Sequence, residues 1–122
     1  MAHILVVEDD PDMERLIVHR LSDAGYNVTS ESDGQAGLAA VRESRPDLVV
    51  LDWMMPRLTG IEVCEEIRKD DSLEKTRILM VTAKSQKADI DRAYAAGVTQ
   101  FLRKPFSLRE LVLGVDSVLA RA

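Results

Sequence analysis

Cysteine is nearly absent from this 122-residue chain: Cys64 stands alone, so no disulfide can form within it. That usage suits a reducing cytoplasm. The two histidines, His3 and His19, are isolated from each other and from Cys64, so the donor set of a zinc site is missing. Positive charge is in deficit. There are 16 Lys+Arg against 21 Asp+Glu, a net charge of −5. This argues against direct binding of nucleic acid, which wants a basic face. No apolar run approaches the ~18–20 residues that cross a bilayer, so membrane insertion is not expected. The opening "MAHILVVEDD" has no basic n-region and turns acidic at once, unlike a signal peptide. Repeats, low-complexity tracts and interior linkers are also lacking. What remains reads as one cytoplasmic domain over residues 1–122, long enough to bury a core without staples.

Short β-branched apolar runs alternate with longer amphipathic ones, the pattern of an α/β fold with a parallel sheet. Strands are predicted at about 3–7, 27–31, 47–51, 77–81 and 100–102. The third and fourth are apolar throughout and belong at the centre; the second is polar and belongs at an edge. Asp10-Pro11 opens a first helix with Met13, Leu16, Ile17, Leu21 and Ala24 on one face and Gly25 as its stop. A second helix spans about 34–44, with Leu38 and Val41 inward. A third opens at Gly60, with Ile61, Cys64 and Ile67 inward. A fourth, about 86–96, is thin, with Ile90, Ala93, Tyr94 and Ala96 as its apolar face. A fifth has Ser107 as N-cap and Glu110 three residues on, a capping box, followed by a clean apolar stripe. Right-handed crossovers then give a doubly wound (βα)5 fold with helices on both faces. The strand order that fits best is 2-1-3-4-5, flavodoxin-like, with a switch point between strands 1 and 3.

In such sheets ligands bind beyond the carboxyl ends of the strands. Strand 1 ends in Glu8, Asp9 and Asp10; strand 3 in Asp52; strand 4 in Thr82; strand 5 is followed by Lys104. "LVVLDWMMPRLTG" is the sharpest signal, because a lone acid closing a buried run needs a partner. Asp9 and Asp52 flank the switch point. Two such charges about 4 Å apart repel by roughly 4 kcal/mol at an effective dielectric near 20. A divalent cation relieves that conflict, and a hard oxygen cluster suits Mg²⁺. With Mg²⁺ the parts suggest phosphoryl transfer onto Asp52 as nucleophile. Lys104 and Thr82 would contact the phosphoryl oxygens. Read singly, the acidic trio could simply cap the first helix, and Thr82 and Lys104 could be ordinary surface or strand-end residues. Their conjunction at one rim favours chemistry.

In this order the motifs "ILVVEDDP", "DLVVLDWMMPRLTGIEV", "ILMVTA" and "FLRKPF" resemble the CheY-like response-regulator receiver domain of two-component signalling, over essentially the whole chain. The resemblance implies that Asp52 is the phosphoacceptor. It implies that Asp9 binds Mg²⁺ directly, Glu8 chiefly through water, and the Met54 backbone carbonyl as a further ligand. It gives Thr82 and Lys104 as the phosphate-sensing pair and Phe101 as the switch aromatic. It also implies a cis Lys104-Pro105 bond. Finally, it implies a sensor histidine kinase or phosphotransfer protein as donor, and an output domain or downstream protein engaged through helix 4, strand 5 and helix 5. The activity implied is a regulatory switch whose only catalysis is its own phosphoryl transfer and dephosphorylation.

The chain departs from the family pattern in places. Phe101 lacks the hydroxyl of the commoner tyrosine, so the switch would be steric. Ile90, Thr99, Gln100 and Gly114 do not supply the charges of the symmetric dimer face in the winged-helix branch. Met54 and Lys84 sit where the family tunes dephosphorylation. A Mg²⁺-dependent phosphohydrolase is disfavoured because its general acid, two residues after the nucleophile, is here Met54. A flavin module is disfavoured because "EDDPD" would repel a bare phosphate. A degenerate receiver acting as a constitutive interaction module remains as an alternative, weakened by the presence of Glu8, Asp9, Asp52, Thr82 and Lys104.

Overall fold

The structure is a computed structural model and describes residues 2–121. Strands β1 (His3–Val7), β2 (Asn27–Glu31), β3 (Leu48–Asp52), β4 (Arg77–Thr82) and β5 (Gln100–Arg103) alternate with five helices. These are α1 (Pro11–Asp23), α2 (Gly34–Ser44), α3 (Gly60–Lys69), α4 (Lys87–Ala96) and α5 (Leu108–Leu119). All strand pairings are parallel and the order is β2-β1-β3-β4-β5, as the patterning predicts. A one-turn 3₁₀ helix, Asp71–Leu73, was not foreseen; the Asp70 carboxylate accepts the Ser72 N–H and holds it.

Side chains alternate across the sheet with period two. Leu5, Val7, Val49, Leu51, Ile78 and Met80 face α2, α3 and α4. Ile4, Val6, Leu48, Val50, Leu79 and Val81 face α1 and α5. Every residue of β3 is buried, as a strand with helices on both faces requires, whereas β2 at the edge has no buried residue. No helix among the described residues is long and apolar enough to cross a membrane.

Local chemistry sets the helix starts. Asp10 accepts the Asp12 and Met13 N–H groups and caps α1, with Pro11 in the first turn. Thr59 and Glu62 form a capping box on α3, and Ser107 and Glu110 form the expected one on α5. Gln86 precedes α4 with no side-chain cap.

Two expectations for apolar faces are corrected. On α1, Met13, Ile17 and Leu21 line up at i, i+4, i+8 with Val18 beside them. Leu16 lies outside that row, 52% exposed, and Ala24 is exposed past the helix end. On α4 only Ala93 is buried. Ile90 and Ala96 are half-buried and Tyr94 is 46% exposed, because the short helix presents little more than one line of side chains to β5 and α3.

Candidate functional site at the carboxyl end of the sheet

Parallel strands all deliver their carboxyl ends to one rim, which is how residues far apart in sequence meet. Glu8 and Asp9 follow β1. Asp52 ends β3, which lies one residue further along the chain than predicted, and pairs in register with Val81. Each of Glu8, Asp9 and Asp52 offers a carboxylate oxygen, and these atoms lie within 4.8 Å of one another. Glu8 and Asp52 are only 2% and 4% exposed, while Asp9 faces solvent. Lys104, 96 residues beyond Glu8, reaches into the cluster. Its Nζ donates to Glu8 Oε1 at 3.1 Å and stands 3.7 Å from Asp52 Oδ1.

The surrounding backbone fixes these groups. The Met54 N–H donates to Asp52 Oδ1 at 3.3 Å, and the Asp10 N–H to Glu8 Oε2 at 3.3 Å. The Trp53 N–H bonds the Val81 carbonyl, and the Gly60 N–H bonds the Trp53 carbonyl. The start of α3 therefore lies against the strand end. A Cβ on Gly60 would fall 2.4 Å from the Asp52 carbonyl oxygen, so glycine is required there for close approach. The Lys104 N–H bonds the Thr82 carbonyl at 2.8 Å, and the Lys104-Pro105 bond is cis.

Electrostatics follow from burial and crowding. Burial first, then the adjoining Glu8 carboxylate, push Asp52 up to about 7, against the pull of Lys104 and the Met54 N–H. Burial works against the Lys104 charge, yet Asp52 and Glu8 together hold its ammonium above the ordinary lysine range. Two buried acids therefore share one amine, and the Asp9 carboxylate stands beside them. The donors are all hard oxygens, one acid is solvent-facing and, among the described residues, no Cys or His joins the cluster, so the residues fit Mg²⁺.

Thr82 is fully buried at the end of β4, and its hydroxyl accepts the Lys84 N–H at 3.2 Å, with no hydrogen bond to Asp52. Phe101 lies half-buried against the α2–α3–α4 core and does not enter the acidic cluster. Asp10 belongs to the α1 cap rather than to the cluster. Two features are not foreseen from the sequence. The Lys84 ammonium stands over the Trp53 ring, 5.3 Å from its centre, and 4.0 Å from Asp89 on α4. Only the folded loops bring these three together. The Thr59–Glu62 box beside Gly60 was also missed, although its T-x-x-E spacing was readable.

A five-stranded doubly wound sheet with an acidic, lysine-braced cleft at its switch point defines a class of α/β domain with a cation-seeking carboxylate site. The family within that class is identified by comparison. The response regulator receiver domain family matches residues 4–116, and the chain belongs to it. The DNA-binding response regulator MtrA of Mycolicibacterium smegmatis is 40% identical over 118 residues, covering 97% of this chain and 50% of the relative. The alkaline phosphatase synthesis transcriptional regulatory protein PhoP of Bacillus subtilis is 39% identical over 119 residues, covering 98% and 49%. The chain spans about half the length of the curated relatives it matches. Among solved structures, the chemotaxis protein CheY4 of Vibrio cholerae superposes with a TM-score of 0.92 at 33% identity, covering 97% of this chain and 98% of that one. The chain is thus a receiver domain of response regulators, a phosphorylation-controlled regulatory switch of two-component signalling.

Proposed function

We propose that residues 1–122 work as one receiver domain in which Asp52 takes a phosphoryl group from the phosphohistidine of a sensor histidine kinase or phosphotransfer protein in the cytoplasm. The observation that carries this reading is the junction of Lys104 with Glu8 and Asp52, beside Asp9, at the switch point of the sheet. An Asp52 carboxylate oxygen would form the new P–O bond as the P–N bond of the donor breaks, leaving an acyl phosphate. Glu8, Asp9, Asp52 and the Met54 carbonyl would hold Mg²⁺, which when bound supplies charge neutralisation for the phosphoryl oxygens. Lys104 would shift from Glu8 toward those oxygens.

The Thr82 hydroxyl, now bonded to the Lys84 N–H, would turn to the phosphoryl group. Phe101, half-buried beside α4, would follow by packing alone, since it carries no hydroxyl. The face formed by α4, β5 and α5 would thereby change its preference for an output domain or downstream protein, a shift between two pre-existing populations. Direct contact with nucleic acid is left to such a partner. Intact-mass measurement after treatment with acetyl phosphate and Mg²⁺ tests the assignment. One added phosphoryl group is expected on the native chain and none on Asp52→Asn; equal labelling of the two defeats it.

A further inference from the structure

The opposite pole of the sheet carries a second charged concavity. A cleft of about 780 Å³ opens at the amino ends of β3 and β4, on the far side of the molecule from Asp52. Five cations line it: Arg45, Arg68, Lys75, Arg77 and Arg121. Two acids, Asp47 and Glu74, line it as well, and Asp47 is already engaged by the His3 N–H at 2.8 Å. Among the described residues, no carboxylate lies within 4.0 Å of any of the five cationic heads. In a chain of net charge −5, a concavity lined by five cations and two acids runs against the overall charge balance.

Three of the guanidinium groups are held in place by oxygens that carry no charge. Arg68 donates to the Gly97 carbonyl at 2.9 Å and to the Leu73 and Glu74 carbonyls at 3.5 Å. Arg121 donates to the Thr99 carbonyl at 3.1 Å and to Gln100 Oε1 at 2.7 Å, and Arg77 donates to the Arg121 carbonyl. These contacts orient the heads without cancelling their charge, and each guanidinium has five N–H donors, so donors remain for a ligand. Arg45 is set at the rim by its left-handed backbone, φ 48°, directly after α2.

We infer that this cleft is a binding site for a small multivalent phosphate anion. Four of the five cations are arginine, whose planar fork pairs with phosphate oxygens in bidentate fashion. The volume is that of a small-molecule site. No aromatic side chain lines it, so it offers no platform on which a nucleobase would stack, and the phosphate chain is the part recognised. A concavity of this size is too short to track a nucleic-acid backbone, which needs an extended basic stripe.

Isothermal titration of the full chain with tripolyphosphate, in metal-free buffer at about 0.15 M salt where surface attraction is screened beyond about 8 Å, tests the site. Saturable one-to-one binding is expected. The double variant Arg45→Glu/Lys75→Glu, whose side chains make no hydrogen bond among the described residues and which keeps the Arg45 backbone N–H on the Val41 carbonyl, should weaken it about ten-fold or more with an unchanged melting midpoint. Should that variant not fold, Arg45→Gln/Lys75→Gln serves with a smaller loss in the same direction. No binding by the native chain, or equal binding by a folded variant, overturns the inference. So does tighter binding of polyglutamate or duplex DNA than of tripolyphosphate.

Discussion

Helices α4 and α5 flank the same edge strand yet are built to opposite standards. α5 has a complete capping box and buries Leu111, Gly114, Val115 and Val118 against the sheet. α4 has no side-chain cap, buries only Ala93 and leaves Tyr94 in solvent. Its first turn is tied instead by Lys84, which reaches Asp89 from above the Trp53 ring. The difference teaches where the fold can move cheaply. Local opening draws on elements with few buried apolar contacts, and α4 is such an element, one loop away from Thr82. α5 is the fixed reference against which it would shift.

The contrast should be plainest in core truncation. Leu111→Ala on α5 should cost about 2–5 kcal/mol by urea unfolding, the usual range for a fully buried leucine, and Ile90→Ala on α4 about 1 kcal/mol. Comparable losses would erase the distinction between the two helices.

The acidic cleft gives the next largest effect. Asp52 is raised in the fold from its ordinary carboxylate range to about 7, so the fold favours its protonated form. Without metal, that contribution to stability is full below about pH 4 and is lost as pH rises toward 7. Asp52→Asn should therefore be more stable than the native chain above pH 7, by about 1–3 kcal/mol, with the gap closing as pH falls. Mg²⁺ should narrow the gap from the other side by stabilising the native chain. Thermal melts across pH with and without Mg²⁺ measure both trends, and a variant less stable at pH 8 would contradict them.

A third test sharpens the comparison directly. Amide exchange should be at least about ten-fold faster along α4 than along the buried face of α5, a difference of about 1.4 kcal/mol in opening. Acetyl phosphate with Mg²⁺ should alter exchange on α4 and leave α5 as it was. Smallest is the effect of the caps. Ser107→Ala should cost about 1 kcal/mol through loss of the α5 box, while Gln86→Asp should gain about 0.5–1 kcal/mol by supplying the cap α4 lacks. The second variant should also slow exchange in α4, which a purely global stabilisation would not confine to one helix.

Much of this was legible in the chain itself. The strand order follows from which runs are wholly apolar, and the β3 run ending in Asp52 marks both the central strand and the rim. The Asp10 and Ser107 caps were readable because each cap depends on residues within three positions of one another. The orientation of Leu16 was not, because an amphipathic stripe leaves the helix free to roll by one residue until it docks. Nor was the Lys84–Trp53–Asp89 contact, which joins the loop after β3 to the stretch from β4 into α4. The cluster of cations at the amino pole was equally hidden: Arg45, Arg68 and Arg121 lie scattered in sequence and are gathered by the crossover connections.

Sequence by itself determined the fold class and the acids, hydroxyl and amine that the strands would carry, because periodicity and capping are local and every parallel strand ends at the same rim. Tertiary structure alone decided that Lys104 braces Glu8 more closely than Asp52 and that burial raises Asp52 above the ordinary carboxylate range. Those outcomes depend on distance and desolvation between segments far apart in the chain, and no local pattern encodes either quantity.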